Sequence, residues 1–369
     1  MAQPSLSGAT DFEGFTRRGR RSGVRNTILI LPSVICSGVV AESIADAVPE
    51  AVCVPHDHGC GQIGADKDQT RRTLLNVAEN PNVAGVVVVG LGCETLDSEE
   101  LAADLDLPVR QTSIQSAGGT DAAIDAGVEA VEELASAARP DRRKRITVSD
   151  LTVGVVVSDL DESTVTTAAP AVGRLARTIT DVGGRVVVGG VESLVPHRAH
   201  ATELTADDET AETLHRALTD HGDVVPPTPI RTAAANQPVE AIAEFWGGLP
   251  IRDVLAYGER ATHQRGIGIV TTEGRFEETA TALAAAGAQL VVHVTADGIP
   301  TGHPVVPVLK LTGDHETATA LPDDIDVDAS LGDERVLTER VLETAEGIQT
   351  ATEHHGLTTF AISRSGPSL

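Results

Sequence analysis

The chain has 369 residues, a formal net charge of −26 and 2% aromatic residues. The sign of the charge disfavours non-specific nucleic-acid binding, and no stretch approaches the ~20 apolar residues that span a bilayer. The opening MAQPSLSGATDFEGFTRR lacks the apolar core of a signal peptide, and four cysteines in so long a chain are no disulfide framework, so a soluble, cytoplasmic protein with reduced thiols is expected.

The acidic residues are dispersed and form no tail, which points to a strongly hydrated surface of the kind found in proteins adapted to high salt. The length suggests two or three domains. With one Trp and one Tyr, the core must be built from Val, Leu, Ile and Ala. That composition favours layered α/β packing over an aromatic-centred sandwich.

In chain order, residues 1–14 read as a disordered leader. The stretch 15–26, FTRRGRRSGVRN, holds five arginines in an otherwise acidic chain. It reads either as a basic surface loop or as an anion clamp, since the guanidinium suits bidentate recognition of a carboxylate or phosphate. Residues 27–32 form an apolar strand. The Ser/Cys/Gly turn at 33–38 then leads into a helix that Pro49 stops, a shape whose amides can meet an anion or lower a thiol pKa. Cys36 in that turn reads equally as a small buried residue.

A strand at 51–55 leads to His56-Asp57-His58-Gly59-Cys60-Gly61-Gln62. In an extended segment alternate residues share a face, so His56, His58 and Cys60 could hold a transition metal. A turn with one hydrogen-bonded histidine explains the pattern as well. Gly59, Gly61 and Gly64 match GxGxxG by letter, but the acidic residue of a dinucleotide site is missing from its place. A helix at 66–79 ends at Asn80-Pro81-Asn82. A buried Val-rich strand at 83–89 then runs into Gly90-Leu91-Gly92-Cys93-Glu94. This puts a thiol and a carboxylate at a strand's carboxyl end, where open α/β sheets bind ligands. A strand at 109–114 and a helix to about 138 complete the first block.

Residues 139–145 read as a charged linker. A second block has strands at 151–157 and 185–188 around a helix at 170–182. Residues 201–240 are polar and read as a mobile insert or lid. A third block covers 266–312, and the acidic run 323–328 reads as solvated surface. The expectation is an α/β fold of parallel-sheet strand–helix layers, in two or three Rossmann-like subdomains. Its divisions are a leader (1–14), an N-terminal domain with the site motifs (15–140) and a C-terminal region (150–369) with the polar insert near 200–240.

These segments resemble the altronate/galactarate dehydratase family, in its large catalytic domain. The resemblance is carried by residues 15–26, 33–36, 56–62, 81–94 and 115–120, and near the C-terminus by AAGAQL (285–290) and PVVPVLK (304–310). The middle departs. The family's Cys-Gly-Gly-Ser-Asp turn is replaced by Val156-Val157-Ser158-Asp159, and its Gly-Asn-Lys segment has no clear counterpart. The family's small β-rich N-terminal domain is also missing, so it is expected on a separate subunit. An assembly of identical chains is expected too.

The resemblance implies a hydro-lyase that removes water from a sugar acid to give a 2-keto-3-deoxy acid, assisted by a divalent metal, Fe(II) before Mn(II). It implies catalytic roles for His56, His58 and Glu94, and metal ligation by His58, Cys60, Cys93 and Cys36. Arg18, Arg25, Asn26 and Gln62 would bind the substrate. The thiols of Cys36, Cys60 and Cys93 would also suit an iron–sulfur cluster, although their wide, uneven spacing counts against one. Two alternatives stand beside this reading. One is the large subunit of a sulfolactate-type sulfo-lyase; the other is a non-catalytic paralogue that binds a sugar acid.

Overall fold

The computed structural model describes residues 11–224 and 227–364. Its strands are β1 (Asp11–Gly14), β2 (Thr27–Pro32), β3 (Ala51–Cys53), β4 (Val83–Gly90), β5 (Val109–Ser113), β6 (Lys144–Thr147), β7 (Thr152–Val157), β8 (Arg185–Gly189), β9 (Ile251–Leu255), β10 (Gly266–Val270), β11 (Leu290–Val294), β12 (Val308–Thr312) and β13 (Val327–Asp328). The α/β expectation holds, in two parallel sheets. The first has four strands in the order β3-β2-β4-β5, and the second has seven in the order β13-β12-β11-β7-β8-β10-β9. The second and third strand–helix blocks of the sequence therefore interleave in one sheet.

Both faces of each sheet are covered, which explains the unbroken Val runs. In the first sheet, Ile28, Ile30, Val87 and Val89 pack against the helices Gly38–Ala47 and Thr120–Ala138. These two helices meet closely at Gly127, where a Cβ would lie 2.2 Å from Ile44 Cδ1. Leu29, Leu31, Val86 and Val88 face the other way. They share a core with Val156, Val187 and Val291 of the second sheet and with the small-residue helix Phe276–Ala285. That helix packs on Gly64–Ala78, so the two layers form a common interior.

Asn80 and Asn82, read from the sequence as mere helix punctuation, join the layers. Asn80 donates to Ala284 O and Ala288 O, each at 2.8 Å, and Asn82 donates to Gln289 O and Val305 O at 2.8 and 3.0 Å. Buried amides satisfied on both sides of a contact fix its register.

Several expectations change. Of the expected leader, residues 1–10 lie outside the described residues, while Asp11–Gly14 pairs antiparallel with β6, so the expected 139–145 linker is partly strand. The expected lid contains the helices Asp208–Val224 and Pro229–Ala234. It is anchored where Arg231 Nε donates to Glu192 Oε2 at 2.7 Å, and Leu214 and Leu218 are fully buried. The acidic run is not free surface either: Asp326 accepts from Arg340 and from the Lys310 amide.

Candidate active site

In each sheet the chain leaves the first central strand for a neighbour on one side and later returns on the other side. The reversal falls between β2 and β4 in the first sheet and between β7 and β11 in the second. Crevices at the carboxyl ends of such strands are where open α/β sheets hold ligands. Residues 33–37, 56–62 and 90–94 all emerge at that edge of the first sheet and are stitched together there. The Ile35 amide donates to His58 O at 2.9 Å, and Ser37 Oγ donates to Val89 O at 2.7 Å. Gly59 makes the close approach possible. Its φ is +91°, and a Cβ there would stand 2.3 Å from Ser33 O.

Glu94 sits in a nest of its own loop. Its carboxylate accepts from the amides of Leu91 (3.2 Å), Gly92 (2.6 Å) and Cys93 (2.9 Å) and from Ser33 Oγ at 2.9 Å. Burial alone would raise its pKa, but these hydrogen bonds outweigh it and hold the carboxyl below its usual range. In this conformation Glu94 is an ionised, well-satisfied group and a weak proton acceptor.

The two histidines are buried and fully engaged. His56 Nε2 donates to Pro32 O at 2.8 Å, and its Nδ1 accepts from the His58 amide at 3.2 Å. His58 Nε2 donates to Ile362 O at 2.9 Å, and its Nδ1 meets Gln62 Nε2 at 3.1 Å. This network assigns the Nε2–H tautomer to both rings. Burial pushes the His56 pKa down to about 4 and lowers that of His58, so both imidazoles are neutral. Gln62 is 2% exposed. Its Oε1 accepts from the Gly59 amide at 2.9 Å, and its Nε2 reaches Asp66 Oδ2 at 2.7 Å and Thr70 Oγ1 at 2.9 Å. Gln62 is therefore the hub of the loop, and no atom of its amide is left for a substrate.

The thiols of Cys36, Cys60 and Cys93 are exposed on the three stitched loops. Among the described residues, however, no group of three or more His, Cys, Asp or Glu side chains stands together as a metal site. With both imidazoles committed to protein partners, the expected ligand set is not preformed, and the residues as placed do not fit a resident metal.

The arginine block lies elsewhere. Asn26 immediately precedes β2, and Arg17 and Arg20 donate to Pro81 O and Glu79 O, just before β4. That is the amino edge of the sheet. β4 has eight residues, and at about 3.3 Å per residue the two edges are some 25 Å apart. Arg25 is spent on Glu353, at 2.7 and 2.8 Å, and on Thr344 O and Ile348 O. Asn26 Nδ2 reaches Ala138 O at 3.4 Å. Arg18 is exposed on the same loop. The expected substrate role of Arg18, Arg25 and Asn26 is thus not met beside Glu94, because strand direction places them at the opposite edge.

Two family models match the chain: "D-galactarate dehydratase/Altronate hydrolase, second domain" over residues 14–139, and "D-galactarate/Altronate dehydratase, C-terminal" over 243–368. Altronate dehydratase of Bacillus subtilis is 30% identical over 97% of this chain and 78% of its own length. This chain belongs to the altronate/galactarate dehydratase family. The Escherichia coli altronate dehydratase is 28% identical, over 99% of this chain and 80% of its own. The (2R)-sulfolactate sulfo-lyase subunit beta of Chromohalobacter salexigens is 27% identical, over 97% of this chain and 98% of its own. With dehydratases and a sulfo-lyase as its relatives, the chain is a lyase. The stretch between the two model matches covers the segment whose family motifs are altered. Among the described residues no helix is long and apolar enough to cross a membrane.

Sequence reasoning missed Ser33 as the partner of Glu94, together with Asp66, Thr70 and the Ile362 carbonyl. A serine directly after a buried strand was the available signal for the first; the others are set by tertiary packing.

Proposed function

We propose that this chain is a sugar-acid dehydratase that converts a polyhydroxy acid to its 2-keto-3-deoxy product. The carrying observation is near-full-length similarity to two altronate dehydratases. Three of the loops that bear the family's matching motifs, 33–37, 56–62 and 90–94, gather at one switch point, which supports the same reading. In the reaction a base takes the proton alpha to the carboxylate, and the electron pair expels the 3-hydroxyl, which takes up a proton from a general acid and leaves as water. The resulting enol then ketonises. The charge that develops on the acid group needs fixed donors. The family resemblance implies a divalent metal in this role, which metal analysis of the purified chain would test.

A second reading is the large subunit of a sulfo-lyase. It is favoured by the 98% coverage of the sulfo-lyase subunit, against 78% and 80% of the altronate dehydratases. The deciding experiment is anaerobic purification in high salt with metal analysis. Assays then follow with D-altronate and D-galactarate for keto-acid formation, and with (2R)-sulfolactate for sulfite release. Keto acid from a sugar acid is expected. Sulfite release alone would replace the dehydratase by the sulfo-lyase reading, and no turnover of any of the three, with Fe(II) or Mn(II) supplied, would reject both.

A further inference from the structure

The second sheet has its own switch point, and it is lined by polar side chains that no part of the first site uses. Ser158 follows β7 as Ser33 follows β2, and its amide donates to Val294 O at 3.0 Å as that of Ser33 donates to Val89 O at 3.0 Å. Ser158 Oγ meets His293 Nε2 at 2.7 Å. His293 on β11 is in register with Lys310 on β12 and with Val156 on β7, so His293 and Lys310 project from one face of adjacent strands. Thr295 continues that face one step beyond β11.

His293, Thr295 and Lys310 are each 0% exposed. Each also has a polar atom without a hydrogen-bond partner among the described residues: His293 Nδ1, Thr295 Oγ1 and Lys310 Nζ. The carboxylate of Asp324 stands 3.8 Å from Nζ, beyond a hydrogen bond. Buried polar groups without partners are rare and costly, and a buried ammonium is the costliest of them. Three on one face, at a ligand-binding position of the fold, call for an acceptor that the protein itself does not supply. If Ser158 donates its hydroxyl proton to His293 Nε2, Nδ1 carries hydrogen, and all three orphans are donors. Their complement is an anion with several acceptor oxygens.

We propose that this crevice is a carboxylate-binding pocket, in which Lys310, Thr295 and His293 receive the acid group of a hydroxy acid. The proposal rests on the dehydratase reading for the class of acid. It supplies the carboxylate contact that the arginine block, at the far edge of the other sheet, does not provide. The pocket is closed here. Asp159 Oδ2 accepts from the Ala296 amide at 2.6 Å and ties the loop after β7 to the loop after β11, so the acid enters when that tie opens.

The test is calorimetric titration of the full chain with tartronate, a hydroxy diacid with no 3-hydroxyl to lose as water, while turnover of D-altronate is followed in parallel. Wild type is expected to bind, and Lys310→Met to bind about 10- to 100-fold more weakly. Its melting temperature should be equal or higher, because an apolar chain of similar shape replaces a buried ammonium that makes no hydrogen bond and has only the Asp324 carboxylate, at 3.8 Å, as a charge partner. Thr295→Val, which keeps shape and removes only a hydroxyl, is expected to weaken binding about 2- to 10-fold and carries the test if Lys310→Met does not fold.

Unchanged tartronate affinity in the folded variants, or no binding by wild type, overturns the pocket. Altronate turnover without Lys310-dependent binding would leave the dehydratase reading standing and remove the pocket. Lys310-dependent binding without turnover would do the reverse.

Discussion

The hydroxyl of Ser33 donates to Glu94 Oε1 at 2.9 Å and so joins the ends of the two central strands of the first sheet. Ser33 is 0% exposed, and Glu94 is half-buried. Ser33→Ala is expected to cost about 1–2 kcal/mol, read as a lower urea midpoint. Glu94→Gln removes the charge that three amides converge on. The folded pKa of Glu94 lies below the ordinary value. Its contribution is therefore present above the carboxylate range and lost as pH falls through the folded value. The stability gap between wild type and Glu94→Gln should shrink on acidification; a gap that does not change with pH would refute the nest.

Arg25 and Arg18 should part company. Arg25→Ala breaks the two-point contact with Glu353 and takes the guanidinium donor from Ile348 O, at an expected cost of about 2–3 kcal/mol. Arg18 is exposed, and Arg18→Ala should leave stability within about 0.5 kcal/mol. Neither change is expected to alter affinity for a sugar acid by calorimetry. Weakened binding in a folded Arg25→Ala protein would restore the anion-clamp reading.

His58 is placed as a clamp between Gln62 and Ile362 O. Removing its ring takes the donor from Ile362 O, while Gln62 keeps Asp66 and Thr70, so His58→Ala should lose about 1–3 kcal/mol in chemical denaturation. Metal content per chain after anaerobic purification should equal that of wild type. Loss of metal without loss of stability would make His58 a ligand instead.

Three buried histidines bias stability against acid. Burial pushes the pKa of His56 down to about 4 and those of His293 and His303 to about 3, from an ordinary 6.5. Between 6.5 and those values the unfolded chain binds protons that the folded chain refuses. Stability is then full above pH 6.5 and falls through that window, by about 1.4 kcal/mol per pH unit for each histidine. His303→Gln cannot titrate, so its urea midpoint should drop less between about pH 7 and 5 than that of wild type. Parallel drops would show that His303 is not part of the effect.

What was legible in the sequence was the part governed by local rules. The Ile/Leu run of β2, the Val runs of β4 and β7, and the strand-end position of Gly90 through Glu94 follow from burial on both faces and from glycine punctuation. The joining of two blocks into one seven-stranded sheet was not legible, because parallel pairing is decided by crossovers and leaves no periodic mark. His56 and His58 show the same limit at the site. Their alternation is visible in sequence, but whether a ring meets a metal or a carbonyl depends on Pro32 and Ile362, which only the fold supplies. Lys310, a lone cation in an apolar strand, was a readable signal. It was read only as part of a matching motif.

The His58–Ile362 hydrogen bond spans 304 positions of sequence. Around it, Gln69 donates to Ser363 O at 2.6 Å, and the ring of Phe360 lies 5.7 Å from that of His303. A ribosome delivers the first sheet long before it delivers these partners. The first layer can collect its strands and helices early, but the loop around His58 stays without its keystone until Ile362 has emerged. Maturation of the first switch point is therefore a late event in synthesis, and a nascent chain arrested before Ile362 carries a folded scaffold with an unfinished site.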